Sequence, residues 1–115
     1  MQQTVFFAFK DDPLCFVHVL LNSLDMAEKS LGGGIILEGK AVTLVAAMAE
    51  KGHFLNQLYS KAKEQGLFIG ACRACSTKLE ASQAVESEGI PLIGNMAGHP
   101  AMSEYIQQGY AVITF

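Results

Sequence analysis

The segment Thr4-Val-Phe-Phe-Ala-Phe9 contains no charged side chain and is rich in β-branched and aromatic residues, which favour an extended backbone. A strand that is apolar at nearly every position has both faces buried, as is typical of parallel sheets. Lys10-Asp11-Asp12-Pro13 follows and predicts a turn, because it supplies an acidic N-cap candidate and a proline suited to a first helical position. The chain therefore begins with a buried strand that leads into a helix.

The spacing of apolar residues changes after Leu14 and predicts the first helix. One face of this helix would carry Val17, Leu20, Leu21, Leu24, Ala27 and Leu31, and the opposite face His18, Asn22, Asp25 and Lys29. The triplet Gly32-Gly33-Gly34 is expected to end the helix and to form a loop. Because this triplet precedes a strand instead of opening a helix, it does not predict a phosphate-binding loop.

The rest of the chain alternates between short apolar segments and helical patterns. We predict further strands at 35–37, 67–71, 91–93 and 110–115, and further helices at 41–50, 53–65, 76–87 and 101–108. In the helix over 53–65, the buried stripe would consist of Phe54, Leu58 and Ala62. The alternation predicts one α/β domain over residues 1–115, in which a parallel sheet is covered by helices on both faces.

The composition excludes several functional classes. Half of the 115 residues are hydrophobic, 17% are charged and the formal net charge is −3, so we expect a packed core and no binding to nucleic acid. The N-terminal residues do not resemble a signal peptide and no apolar stretch is long enough to span a bilayer, which predicts a cytoplasmic protein with no membrane association. The apolar excess in so small a domain predicts that it forms a homo-oligomer.

Candidate functional residues lie at the carboxyl ends of the predicted strands, where open parallel sheets bind ligands. Cys72 follows the strand over 67–71 and begins a helix, where unpaired N–H groups stabilise an anion. We therefore expect the pKa of its thiol to be lowered, helped by the neighbouring Arg73, and Cys72 to act as a nucleophile. The alternative is that Cys72 is a small hydrophobic residue that completes the core.

Cys75 lies three residues after Cys72 and has three interpretations. It could form a reversible disulfide with Cys72, because positions i and i+3 meet in a first helical turn. It could ligate zinc, with Cys15 and His99 as the remaining candidate ligands, although one Cys-x-x-Cys pair is weak evidence for a four-ligand site. It could also pack inward, the role that we favour for Cys15. We expect no metal and no cofactor.

Other polar residues at the same edge are candidates for binding a substrate. His99 lies in the loop 94–100 and could donate a proton or pair with an anion, or it could only cap the helix that follows. Lys40 and Asn95 also follow predicted strands, and together with Arg73 and His99 they form the predicted substrate-binding set.

Four short motifs are distributed along the chain. They are Glu38-Gly39 after the second strand, Ile69-Gly70-Ala71-Cys72 at the end of the third, Lys78-Leu79 in the next helix, and the closing Gly109-Tyr-Ala-Val-Ile-Thr-Phe115. Through these motifs the chain resembles the DsrE/DsrF-like (YchN-like) family of small sulfur-relay proteins. The resemblance covers essentially the whole chain.

The resemblance implies a three-layer α/β/α sandwich with a five-stranded parallel sheet, assembled into homotrimers or into hexamers of two trimers. In relay members of the family, a cysteine just after the third strand accepts sulfur as a persulfide, and Cys72 occupies that place. Cys75 departs from the pattern, since relay subunits commonly have a small apolar residue there.

These observations predict a sulfur carrier or sulfurtransferase, with Cys72 and Cys75 as catalytic residues. Cys72 would hold a persulfide between a sulfur-donor protein and a sulfur-acceptor protein. One alternative is a thiol–disulfide redox protein or sensor that uses the same two cysteines. The other is a non-enzymatic oligomeric module that binds a small ligand or a metal at the carboxyl edge of the sheet.

Overall fold

The computed structural model describes residues 2–115. The strands are β1 (Thr4–Ala8), β2 (Gly32–Leu37), β3 (Phe68–Cys72), β4 (Leu92–Ile93) and β5 (Ala111–Thr114). The α-helices are α1 (Pro13–Glu28), α2 (Leu44–Met48), α3 (Asn56–Glu64), α4 (Arg73–Lys78), α5 (Ser82–Ser87) and α6 (Met102–Gln107), and a 3-10 helix spans Gly39–Thr43. No helix in this part of the chain is long and apolar enough to cross a membrane.

The five strands form one parallel sheet in the order β4-β3-β2-β1-β5. Helices α1 to α5 pack on one face of the sheet, and α6 packs on the other. The predicted three-layer α/β/α sandwich with a five-stranded parallel sheet is therefore confirmed. The interior strand β1 is buried at every position, which agrees with its largely apolar sequence.

The two faces of the sheet are unequal. The larger core lies under α1 to α5 and includes Phe6, Phe16, Leu20, Leu37, Met48, Leu55 and Tyr59. The smaller core lies under α6, where Met102 and Tyr105 pack against Val5, Phe7 and Ile36. Because α6 has only six residues, it leaves part of its face of the sheet open, where Ile69 and Val112 are only partly buried, and Ile106 of α6 itself is exposed.

Helix α1 begins as the sequence predicts but buries a different stripe. Asp12 is its N-cap and accepts a hydrogen bond from the Leu14 amide, with Pro13 at the first helical position. The fully buried residues are Phe16, Val19, Leu20 and Ser23, while Leu21 is exposed, so the predicted stripe is wrong in part.

The glycine triplet belongs to β2 and not to a loop, contrary to the prediction. Gly33 has a φ of +89°, and a Cβ there would lie 2.5 Å from the carbonyl oxygen of Ser23. Ser23 in turn donates a hydrogen bond from its hydroxyl to the Gly33 carbonyl. Glycine is therefore required for the strand to approach α1 this closely.

Three predicted helices are shorter than expected. The segment 41–50 divides into the 3-10 helix and α2, and α3 begins only at Asn56, whose side chain bonds the Met48 carbonyl. Phe54 is 61% exposed, and Leu55 and Tyr59 are buried in its place. The segment 76–87 divides into α4 and α5 because Glu80 adopts a positive φ of 57°.

Candidate functional site

The carboxyl ends of β3 and β4 form the point where the chain changes from one face of the sheet to the other. The connection that follows β3 enters α4 on the larger face, and the connection that follows the neighbouring β4 leads to α6 on the opposite face. Two adjacent strands whose connections diverge leave a crevice between them, and open α/β sheets bind ligands in such crevices. Cys72 ends β3, and the loop 94–100 follows β4.

Cys72 is completely buried and is the N-cap of α4. Its Sγ lies 3.1 Å from the Nδ1 of His99 and accepts a hydrogen bond from the Cys75 amide at 3.3 Å. The Cys72 thiol also lies 3.8 Å from the Gly98 carbonyl oxygen. The sulfur is thus held by one backbone donor and one imidazole nitrogen, the arrangement of a nucleophile beside a base.

The loop 94–100 is fixed to α4, which explains how His99 reaches the site. The Ala74 amide donates to the Gly98 carbonyl at 2.9 Å, and Met96 and His99 exchange two backbone hydrogen bonds inside the loop. Gly98 has a φ of +91°, and a Cβ there would approach the Ala74 side chain to 3.2 Å. The sequence left open whether His99 belongs to the site or only caps the following helix. The structure places its ring in contact with Cys72.

Cys75 lies in the first turn of α4 and is half-buried. Its Sγ is 3.9 Å from the Nδ1 of His99. The two sulfurs and this nitrogen lie within 4.8 Å of one another. Cys75 also packs against the larger core. The same side chain therefore both packs inward and lies close to Cys72.

The pKa of the Cys72 thiol departs from the sequence-based expectation. Burial is the main cause that raises it, and the side chain of Cys75 also raises it, while the hydrogen bond from the Cys75 amide lowers it; together these effects bring the pKa to about 11. Cys72 is removed from water, so desolvation of the thiolate outweighs the helix N-terminus. Arg73 does not oppose this effect, because its guanidinium extends away to the Leu92 carbonyl at 3.5 Å. The expected lowering of this pKa is therefore wrong for the resting site.

Glu38 is a part of the site that the predicted set of residues omits. It follows β2 directly and is only 8% exposed. Burial raises the pKa of its carboxyl, an effect opposed by His99, and its charge acts on the Cys72 thiol. An acidic residue placed directly after an all-apolar strand was the feature of the sequence that could have identified it.

The structure places the remaining candidates outside this group of side chains. Lys40 and Asn95 are exposed, and the Asn95 amide donates to the Glu104 carboxylate. Arg73 lines a separate surface cleft with Pro91 and Leu92. Cys15 lies 3.7 Å from the Asp12 carboxylate at the end of β1, so it is not the additional metal ligand considered from the sequence.

Comparisons with known proteins give relatives without an assigned activity. No protein-family profile matches the chain. The chain is 28% identical over 97 residues to the uncharacterized protein MJ0733 of Methanocaldococcus jannaschii, an alignment that covers 84% of this chain and 77% of that protein. Its fold is similar to that of BT1422, a conserved protein of unknown function from Bacteroides thetaiotaomicron, with a TM-score of 0.71 at 18% identity over 98% of this chain and 95% of the other.

Proposed function

We propose that the protein is a cytoplasmic sulfur carrier that holds a persulfide on Cys72 and passes the outer sulfur to a partner. The observation that carries the proposal is the 3.1 Å contact between Cys72 Sγ and His99 Nδ1 in the crevice between β3 and β4. A buried thiol with an imidazole in hydrogen-bond contact has both the nucleophile and the proton acceptor that sulfur transfer requires. The likeness to sulfur-relay proteins supports the same chemistry.

Loading of sulfur follows from this geometry. His99 accepts the thiol proton as Cys72 Sγ attacks the outer sulfur of a donor persulfide. The bond between the two donor sulfurs breaks, a new S–S bond forms on Cys72, and the donor leaves as a thiolate that takes up the proton. Attack by an acceptor thiolate on the outer sulfur reverses these steps and regenerates the Cys72 thiol with no net oxidation.

Cys75 supplies a second exit for the sulfur. Its thiol can attack Cys72 Sγ in the persulfide, which forms a Cys72–Cys75 disulfide and releases hydrogen sulfide. The outer sulfur is then reduced and the two cysteine thiols are oxidised, so a thiol reductant must restore the pair before another cycle. Cys75→Ser removes this exit and leaves loading intact.

Intact-mass measurement tests the proposal. The reduced protein is incubated with a small-molecule persulfide donor, desalted and measured beside the Cys72→Ser, Cys75→Ser and Cys15→Ser variants. We expect one added sulfur in the wild type, a longer-lived adduct in Cys75→Ser, no change from wild type in Cys15→Ser, and no adduct in Cys72→Ser. A wild-type protein that gains no sulfur, or a Cys72→Ser variant that still does, would overturn the proposal.

A second candidate function rests on the distance between the two sulfurs, which lie within 4.8 Å of each other. A thiol–disulfide redox protein or sensor would use this pair without a sulfur adduct. Titration against dithiothreitol, with free thiols counted after each equilibration, should show a two-electron transition that disappears in Cys75→Ser. A protein that keeps both thiols at every potential would eliminate this candidate.

The proposal includes a homo-oligomer, which the apolar composition predicts, and the resemblance to the sulfur-relay family implies that it is a trimer or a hexamer. The open part of the sheet face beside α6, where Ile69 and Val112 are only partly buried and Ile106 is exposed, offers apolar area for self-association. Light scattering coupled to size-exclusion chromatography should give a mass of three or six chains. A single-chain mass at working concentrations would remove this part of the proposal.

A further inference from the structure

Three side chains of the site present donors of the kind that bind thiophilic metal ions. Cys72 Sγ, Cys75 Sγ and His99 Nδ1 all lie within 4.8 Å of one another. Two thiolates and one imidazole favour Zn²⁺ over Mg²⁺ or Ca²⁺, which take oxygen ligands. Their combined charge after loss of both thiol protons is −2, which one divalent cation neutralises.

The two sulfur-to-nitrogen distances are close to those of a tetrahedral zinc site. With Zn–S bonds of about 2.3 Å and Zn–N bonds of about 2.0–2.1 Å, a sulfur and a nitrogen ligand stand roughly 3.5 Å apart. The two sulfur-to-nitrogen distances here are 3.1 Å from Cys72 and 3.9 Å from Cys75. Each needs to change by only about half an ångström, which side-chain rotation supplies.

The backbone around these donors is already organised. Cys72 and Cys75 are joined by one turn of α4 and by the hydrogen bond from the Cys75 amide to Cys72 Sγ. The bond between the Ala74 amide and the Gly98 carbonyl fixes the loop that carries His99. A metal ion therefore has little chain to order when it binds, so less of its binding energy is lost as conformational entropy.

We propose that Cys72, Cys75 and His99 bind Zn²⁺, and that zinc and sulfur exclude each other because both require Cys72 Sγ. Binding replaces the two thiol protons by the ion and releases them to solvent. Three protein ligands leave the fourth tetrahedral position open to water or to an exogenous ligand. This inference goes beyond the proposed sulfur carrier, and either can hold without the other.

Zinc binding is tested on the reduced, chelator-treated full chain. Zn²⁺ is titrated in competition with a chromogenic chelator, and Co²⁺ is used in parallel because thiolate-to-cobalt absorption reports the ligands directly. We expect one ion per chain and a loss of affinity of about tenfold or more in Cys72→Ser, Cys75→Ser and His99→Gln. Cys15→Ser is the matched control and should bind as the wild type does.

Two results would overturn the proposal. One is the absence of stoichiometric Zn²⁺ binding by the wild type, and the other is a thiolate-to-cobalt band that keeps its full wild-type intensity in Cys72→Ser or Cys75→Ser. Circular dichroism of each variant separates a lost ligand from a lost fold, and alkylation gives a second measurement on the unmutated chain. Bound Zn²⁺ should protect Cys72 and Cys75 from alkylation while Cys15 still reacts, and equal protection of all three would contradict the assignment.

A competition experiment tests the exclusion and separates the two proposals. Zinc-loaded protein should take no sulfur from the persulfide donor, and a chelator should restore loading. Sulfur loading that proceeds unchanged with zinc bound would refute mutual exclusion. Zinc binding without any sulfur adduct on the zinc-free protein would instead remove the carrier function and leave the metal site in place.

Discussion

Alkylation of Cys72 as a function of pH measures the balance between burial and the helix N-terminus at the site. Burial, together with the neighbouring Cys75 side chain, raises the pKa of this thiol from an ordinary value of 9.0 to about 11. Two pKa units reduce the thiolate fraction at neutral pH about a hundredfold. A thiolate of higher pKa is a better nucleophile. With a Brønsted slope of about 0.4–0.5, a rise of two pKa units increases the rate constant of the thiolate roughly tenfold. Ionisation alone should therefore make Cys72 about ten times slower to alkylate than a free thiol, and steric burial slows it further.

The assay is iodoacetamide labelling between pH 7 and 10, resolved by peptide mass, with Cys15 as an internal comparison in the same chain. The rate for Cys72 should rise about tenfold for each pH unit, with no plateau in this range. Cys75→Ala should speed the reaction at neutral pH, because the Cys75 side chain contributes to the raised pKa of Cys72.

A plateau in the Cys72 rate below pH 8 would refute this reasoning. It would show that the α4 N-terminus outweighs desolvation, as the sequence alone suggests. Circular dichroism at each pH is the control that the protein stays folded, since unfolding would expose the thiol and mimic rapid alkylation.

Three further predictions concern stability and are measured by urea denaturation. Tyr59→Phe should cost about 1–2 kcal/mol near neutral pH, because the Tyr59 hydroxyl bonds the Glu88 carboxylate at 2.6 Å; a cost below about 0.3 kcal/mol would contradict this. The same bond lowers the pKa of Glu88 below its ordinary 4.5, so its contribution is present above about pH 4.5 and should be lost as pH falls through the folded-state value. Gly33→Ala should destabilise by several kcal/mol more than Gly66→Ala, since both glycines have positive φ but only Gly33 would clash with backbone; equal costs would remove the clash argument. Ser76→Ala should be neutral or stabilising by about 1 kcal/mol, because the buried Ser76 hydroxyl has no hydrogen-bond partner among residues 2–115, and a clear loss of stability would disprove it.

The alternation of strands and helices could be predicted because each strand is apolar on both faces. Parallel strands then direct their carboxyl ends to one edge, so the neighbourhood of Cys72 followed from the sequence. Helix ends were harder to predict. The break at Glu80 depends on a positive φ at a residue that ordinarily favours helix, and local propensity gives no indication of it.

The contact between Cys72 and His99 could not be predicted from the sequence. The two residues are 27 positions apart, and the loop 94–100 is positioned by its hydrogen bond to α4. The pKa of Cys72 was mispredicted for a related reason. The stabilisation of a thiolate by a helix N-terminus can be read from sequence, but the opposing desolvation depends on complete burial, which only the packed structure reveals. The position of Glu38 after the second strand can be read from the sequence, but its burial beside the thiol depends on packing that only the structure shows.

Strand β4 has only two residues, and its ladder partners are Ala71 and Cys72. The edge strand next to Cys72 is thus held to the sheet by very few backbone hydrogen bonds. Segments of this kind unfold locally at a small fraction of the global free energy, and their amides exchange with solvent early. Brief detachment of this edge is therefore the way in which the fully buried Cys72 sulfur should become accessible while the rest of the domain stays intact, and amide exchange in β4 should be faster than in the interior strand β1.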